Sequence, residues 1–241
     1  NSIAAAMNSS FGISNATTGI VLLVLTAAVI LGGIKRIAAV ADWLVPFMAI
    51  GYIVAALVVL VVHASDVPGA FMEILNNAFT PTAAVGGFAG ATVMAGIRYG
   101  VARGIFSNEA GLGTAGIAQA AGYSASPVHS GLIGMMGTFF DTIVVCSMTG
   151  LAIVVSGVWT SGETGAVLTQ LAFQSAMPGI GDEVVAIALA VFALTTIFGW
   201  SFYGERCWNY LLGPKAILPF RVLWTLAVFA GAVTHLDLAW T

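Results

Sequence analysis

Apolar residues fall in long runs separated by short polar connections from one end of the chain to the other. The runs cover Gly19–Ile34, Ile37–Val62, Ala83–Val101, Gly131–Val158, Val184–Phe202 and Ala216–Val233. A helix rises about 1.5 Å per residue, so crossing a bilayer takes about 20 mostly apolar residues, and the pattern predicts six transmembrane helices. Two connections carry amphipathic stretches of their own. Asp66–Thr82 holds the run Ala70–Phe79 between Pro68 and Pro81, which predicts a short helix lying along the membrane surface. Val167–Met177 predicts another. Pro178-Gly179-Ile180-Gly181 ends it, and Asp182 and Glu183 then open the fifth span, where acidic side chains suit the positive end of a helix dipole. No soluble domain, internal repeat or low-complexity tract interrupts this plan.

Composition narrows the class further. Of 241 residues 59% are apolar and 7% charged, and mean hydropathy is +1.02. A soluble domain would carry roughly a quarter charged positions to keep its surface wet, so this is an integral membrane protein. The net charge of −3 is uninformative, but its distribution is not. Lys35, Arg36, Arg98, Arg103, Arg206, Lys215 and Arg221 all fall at alternate connections, whereas Asp66, Glu73, Glu163, Asp182, Glu183 and Asp237 fall at the others. The positive-inside rule places the first group in the cytoplasm, which makes the chain a multi-pass protein of the cell's inner (plasma) membrane with both ends outside. A chain that starts without Met and without a leader reads as a piece of a larger bundle. Cys146 and Cys207 differ too much in predicted depth to be bridged, and the sequons at Asn8 and Asn15 are a common chance pattern.

Candidate chemistry follows from depth. The third span, leaving the membrane near Arg98 to Arg103, would have its midplane near Gly86-Gly87-Phe88-Ala89-Gly90. Three glycines there suit either a discontinuous helix that frees backbone groups for a ligand or close packing against a neighbouring helix. In the fifth span Phe192, Thr195, Thr196, Gly199 and Trp200 share a face near the middle. The two hydroxyls beside a carbonyl could ligate a hard cation, or each could bond the carbonyl one turn back. Asp141 lies about ten residues into the fourth span, deep enough that its carboxylate needs a partner, a proton or water. It fits a structural hydrogen-bonding role or one in gating or proton coupling. Asn108 and Glu109 are expected in the cytoplasmic connection, capping helices or pairing with Arg98 or Arg103 as an inner gate. His63, His129 and His235 fall at span ends without metal-ligand spacing. Paired carboxylates, a His cluster or a nucleophile with a base at common depth are not evident, so no enzymatic activity is expected.

The stretch Gly104-Ile-Phe-Ser-Asn-Glu-Ala-Gly-Leu-Gly-Thr-Ala-Gly-Ile-Ala-Gln-Ala-Ala-Gly122 sets Ser, Asn, Glu and Gln among glycines between two apolar helices. With its core Ser107-Asn108-Glu109-Ala110-Gly111, it resembles the signature of the alanine or glycine:cation (sodium) symporters. Gly32-Gly33-Ile34-Lys35-Arg36, Leu44-Val45-Pro46-Phe47-Met48, Ile97-Arg98-Tyr99-Gly100-Val101-Ala102-Arg103-Gly104 and Phe140-Asp141-Thr142 agree, and the resemblance is strongest between Gly32 and Gly157. It implies an all-α, leucine-transporter-type fold of two inverted five-helix repeats. On that plan the six spans are about the fourth to ninth helices, with residues 1–62 ending the first repeat and 83–241 forming most of the second.

The same resemblance implies sodium-coupled symport of a small neutral amino acid, alanine or glycine, by alternating access. Ala83–Val101 becomes the broken helix that opens the second repeat, and Phe192, Thr195 and Thr196 match a carbonyl and two hydroxyls at the i, i+3 and i+4 spacing of a sodium site, which an upstream broken helix would complete. Gly87, Phe88, Gly90, Thr92 and Trp200 would contact the substrate. Sodium is the expected coupling ion, with no organic cofactor. The expected partners are the amino acid, membrane lipid and upstream helices of the same protein, and nucleic acid is not among them. A proton-coupled or exchange-type amino-acid transporter of the same fold, with Asp141 as the proton site, fits the topology equally well.

Overall fold

The computed structural model describes residues 1–79 and 89–234, and of residues 78, 79 and 89–96 the backbone alone. Among the described residues all regular structure is helical. The α-helices are α1 Ser2–Phe11, α2 Asn15–Ile30, α3 Ile34–Val62, α4 Val67–Phe79, α5 Ala89–Ser107, α6 Thr114–Ala120, α7 Pro127–Thr138, α8 Ser147–Val155, α9 Gly165–Ala176, α10 Gly181–Leu212 and α11 Ile217–Val233. A π-helical stretch, Phe139–Cys146, joins α7 to α8 without a break. The chain forms two compact units, one of Asn1–Ala55 with Thr160–Thr241 and one of Ala56–Trp159.

In the first unit α2 lies along α11, and α9 folds back on α10. The α9–α10 reversal is tight because it passes through Gly179 at φ 90° and then Gly181, where a Cβ would lie 2.5 Å from the backbone of Phe173. Phe173 is wholly buried beneath that turn. Its ring stacks on Tyr52 of α3 at 5.6 Å, and Tyr52 in turn meets Phe192 of α10 edge-on at 5.7 Å. This aromatic file ties three helices together. Rings of this size each bury 150–250 Å² or so, and they dominate the packing where they meet. In the second unit α4 lies along α8, α6 touches α7, and the end of α5 meets the π-helical stretch.

Among the described residues four helical stretches are long and apolar enough to cross a membrane, namely Ile34–Val62, Pro127–Val155, Gly181–Leu212 and Pro214–Val233. This is a helical membrane protein. The other two of the six predicted spans differ from expectation. The first is α2, which runs from Asn15 to Ile30 and is shorter than a usual span. It starts early because Ser14 Oγ accepts from the Thr17 N–H, and it stops early because Gly33 turns the chain at φ 70°. The third is α5, which continues past Val101 to Ser107. Gly100 and Gly104 do not end it, so Arg98 and Arg103 are helical, exposed residues and not part of a connection.

The two amphipathic stretches do form helices, α4 and α9, close to their predicted limits. Two helices have no counterpart among the predicted elements. Ser2–Phe11 lacks an apolar run, yet forms α1, closed by Gly12 at φ 66° and packed on α10. α6 is a 7-residue helix inside the glycine-rich stretch.

Candidate functional site

Thr195 and Thr196 stand at the centre of α10, which spans Gly181–Leu212. Both hydroxyls donate to one acceptor, the Phe192 carbonyl, at 2.8 Å from Thr195 and 3.0 Å from Thr196. The reason is geometric, since side chains three and four residues along a helix overhang the same carbonyl. Three oxygens are thereby gathered at one point. Each hydroxyl spends its hydrogen on the carbonyl and keeps its lone pairs, so the trio presents oxygen to whatever approaches. The Met48 sulfur of α3 lies 3.8 Å from Thr195 Oγ1, and Tyr52 one turn further along α3 packs on the Phe192 ring. Trp200, five residues beyond Thr195, is half-buried with its ring 5.9 Å from that of Tyr203.

The remaining substrate candidates are less defined. Gly87 and Phe88 lie outside the described residues, and Gly90 and Thr92 fall in the first turn of α5, where the backbone alone is described.

The second unit gathers the polar residues flagged between Ser107 and Asp141. At the end of α5 the Asn108 amide donates to the Gly104 carbonyl at 3.0 Å, satisfying a helix-terminal acceptor. Glu109 follows at φ 52°, in the left-handed region that rarely suits a residue with a side chain, and Gly111 and Gly113 are left-handed too. The glycines of the signature thus reverse the chain within a few residues. Glu109 is held there because the buried Thr114 hydroxyl, at the start of α6, donates to its carboxylate at 2.6 Å.

Asn108, in the turn after α5, also reaches the π-helical stretch. Its Oδ1 accepts from Thr142 Oγ1 at 2.7 Å, and Ser107 Oγ donates to Asp141 Oδ2. Asp141 lies midway between Pro127 and Val155, inside the π-helical stretch. The carboxylate at the middle of this apolar helix therefore finds a partner at the end of α5.

Sequence reasoning missed one further group. Glu205 of α10 and Arg221 of α11 form a two-pronged ion pair, Arg221 Nε to Glu205 Oε2 at 2.6 Å and Nη2 to Oε1 at 3.1 Å. Glu205 is 4% exposed. The third guanidinium nitrogen donates to the Leu31 carbonyl at 3.1 Å, at the end of α2. A Cβ on Gly33 would come within 3.0 Å of that guanidinium, so the glycine both turns the chain and admits the arginine. The available signal was an acid and a base 16 residues apart, each set just inside a long apolar helix.

Comparison with known proteins decides what kind of molecule this is. The family model described as the sodium:alanine symporter family matches residues 1–241, the whole chain. The chain belongs to that family. Among its relatives are an uncharacterized transporter of Haemophilus influenzae, 47% identical over 242 residues, and the sodium/alanine symporter AgcS of Methanococcus maripaludis, 45% identical over 244 residues. Each alignment takes in 100% of this chain and 53% of the relative. A sodium/proton-dependent alanine carrier protein of Bacillus sp. (strain PS3) is 34% identical over 259 residues, covering 100% of the chain and 57% of the relative. The chain thus spans about half the length of the curated relatives it matches.

Proposed function

We propose that the protein of which this chain is part is a sodium-coupled symporter for small neutral amino acids, alanine or glycine, working by alternating access as a multi-pass protein of the cytoplasmic membrane. Family membership supports amino acid:cation symport, and the names of two relatives, a sodium/alanine symporter and a sodium/proton-dependent alanine carrier, point to the cargo. One structural observation carries the reading to particular residues. Two hydroxyls and a carbonyl converge at the middle of an apolar helix, where nothing but a ligand or the helix itself can use them.

In this reading Phe192, Thr195 and Thr196 form one side of a sodium site that a broken helix from the part of the protein beyond this chain completes, and Gly87, Phe88, Gly90, Thr92 and Trp200 are the residues assigned to the amino acid. The six helical spans are about the fourth to ninth of an inverted-repeat bundle, with residues 1–62 closing one repeat and 83–241 belonging to the other. Sodium bound between α10 and that absent helix holds the two together, and the amino acid sits beside it. Closing one face and opening the other then carries both across. The coupling is thermodynamic, because each cargo favours the arrangement in which the other binds.

Valine at 195 or 196 keeps the shape of threonine and removes an oxygen. In the whole transporter Thr195→Val and Thr196→Val should each raise the sodium concentration for half-maximal uptake, because a hard cation in a poorly hydrated site has no replacement ligand. Glu183→Gln, at the exposed start of α10, is the control and should leave that concentration unchanged. Wild-type sodium dependence in both threonine variants would show that the hydroxyls serve only their own helix.

A further inference from the structure

The group centred on Asp141 has the composition of a second site. Its carboxylate sits fourteen residues from Pro127 and fourteen from Val155, at the middle of an unbroken apolar helix. A charge at that depth carries a heavy solvation cost unless it meets a counter-charge, and such residues mark ion or substrate paths. Four hard oxygens follow one another at hydrogen-bonding distance. Ser107 Oγ donates to Asp141 Oδ2, Thr142 Oγ1 lies 3.4 Å from that same oxygen, and Asn108 Oδ1 lies 2.7 Å from Thr142 Oγ1. They come from two separate segments, the end of α5 and the π-helical stretch. A π-helical segment is rare and occurs mostly at functional positions, because its wider turn places successive side chains where an α-helix would not. Here Asp141 and Thr142, neighbours in sequence, meet Ser107 and Asn108, neighbours at the end of α5.

We propose that Asp141, Ser107, Thr142 and Asn108 form a second sodium-binding site, separate from the trio on α10. One carboxylate among three neutral oxygens carries a single negative charge, which matches a monovalent cation; divalent sites gather more carboxylates. Hydroxyl, amide and carboxylate oxygens are hard donors that suit sodium. A proton needs one oxygen of the carboxylate, whereas a run of four oxygens from two segments supplies enough donors for a coordination shell. The inference rests on the sodium-coupled reading for the identity of the ion, but not on Thr195 or Thr196.

Binding of radioactive sodium to the purified whole transporter in detergent at fixed pH tests it. Two classes of sodium site are expected in the wild type. Asp141→Asn should weaken one class by at least the roughly tenfold that even outer-shell changes cost a metal site. Thr142→Val should weaken the same class, and Thr142→Ser should restore it. Ser107→Ala, an exposed position that leaves the charge in place, keeps the test decisive should Asp141→Asn fail to fold, and is expected to weaken the same class several-fold. Thr195→Val should act on the other class alone. A wild-type isotherm in folded Asp141→Asn or in Ser107→Ala overturns the proposal and leaves the α10 site standing. So does a variant whose sole change is in the pH dependence of uptake, which would make Asp141 a proton carrier. Loss of a class in the Asp141 and Thr142 variants, with Thr195→Val unaltered, upholds this site and removes the one on α10.

Discussion

Phe192 is held from outside its own helix, its ring set against Tyr52, which is itself stacked on the fully buried Phe173. That file fixes the roll of α10 at the point where Thr195 and Thr196 present their oxygens. The sequence showed the spacing of these residues but not the support, because Tyr52 and Phe173 sit on helices whose mutual placement no local pattern encodes. Trp200 belongs to the same stretch of α10. A bulky ring near the substrate would admit only a small side chain, and one methylene in an apolar pocket is worth about 1–3 kcal/mol of discrimination. Trp200→Ala should therefore weaken alanine uptake relative to larger neutral amino acids, read as a tenfold or greater change in their competition against labelled alanine. An unaltered substrate profile in a correctly inserted variant would take Trp200 out of the pocket.

Among the elements, those with long apolar runs were legible, since a bilayer demands length and apolarity and little else. α3, the Pro127–Val155 helix and α11 lie close to their expected limits, whereas α10 begins near its expected start and runs ten residues past Phe202 to Leu212. α1 and α6 were not legible. The first is held by packing on α10 and the second by chain reversal at left-handed residues, and both causes are tertiary. The end of α5 was misplaced for a related reason: arginines were read as marking its end, although arginine is a good helix former. The Glu205–Arg221 pair shows the same limit, because a charge at a helix flank looks solvated until its partner is known. It joins α10 to α11 and reaches the end of α2. Removing one member of a buried pair leaves an uncompensated charge and costs about 3–5 kcal/mol, whereas replacing both by apolar side chains can be neutral. Glu205→Gln should accordingly lower the unfolding temperature of the detergent-solubilised protein by more than the double variant Glu205→Met with Arg221→Met. Equal loss in the two would mean that the pair acts through packing and not charge.

At the scale of the whole molecule, the distribution of Lys and Arg sets the expected orientation in the membrane. Single cysteines at Lys35, Arg103 and Lys215 should stay unlabelled by an impermeant thiol reagent in intact cells, while those at Glu73, Glu163 and Asp182 should label. Labelling at 103 but not at 163 would invert the topology. The central claim is coupling, and it is tested most directly by labelled alanine uptake into proteoliposomes containing the whole transporter. With an inward sodium gradient alanine should accumulate inside above its external concentration, and with potassium in place of sodium it should only equilibrate. Accumulation without sodium, driven by an imposed proton gradient alone, would contradict the account.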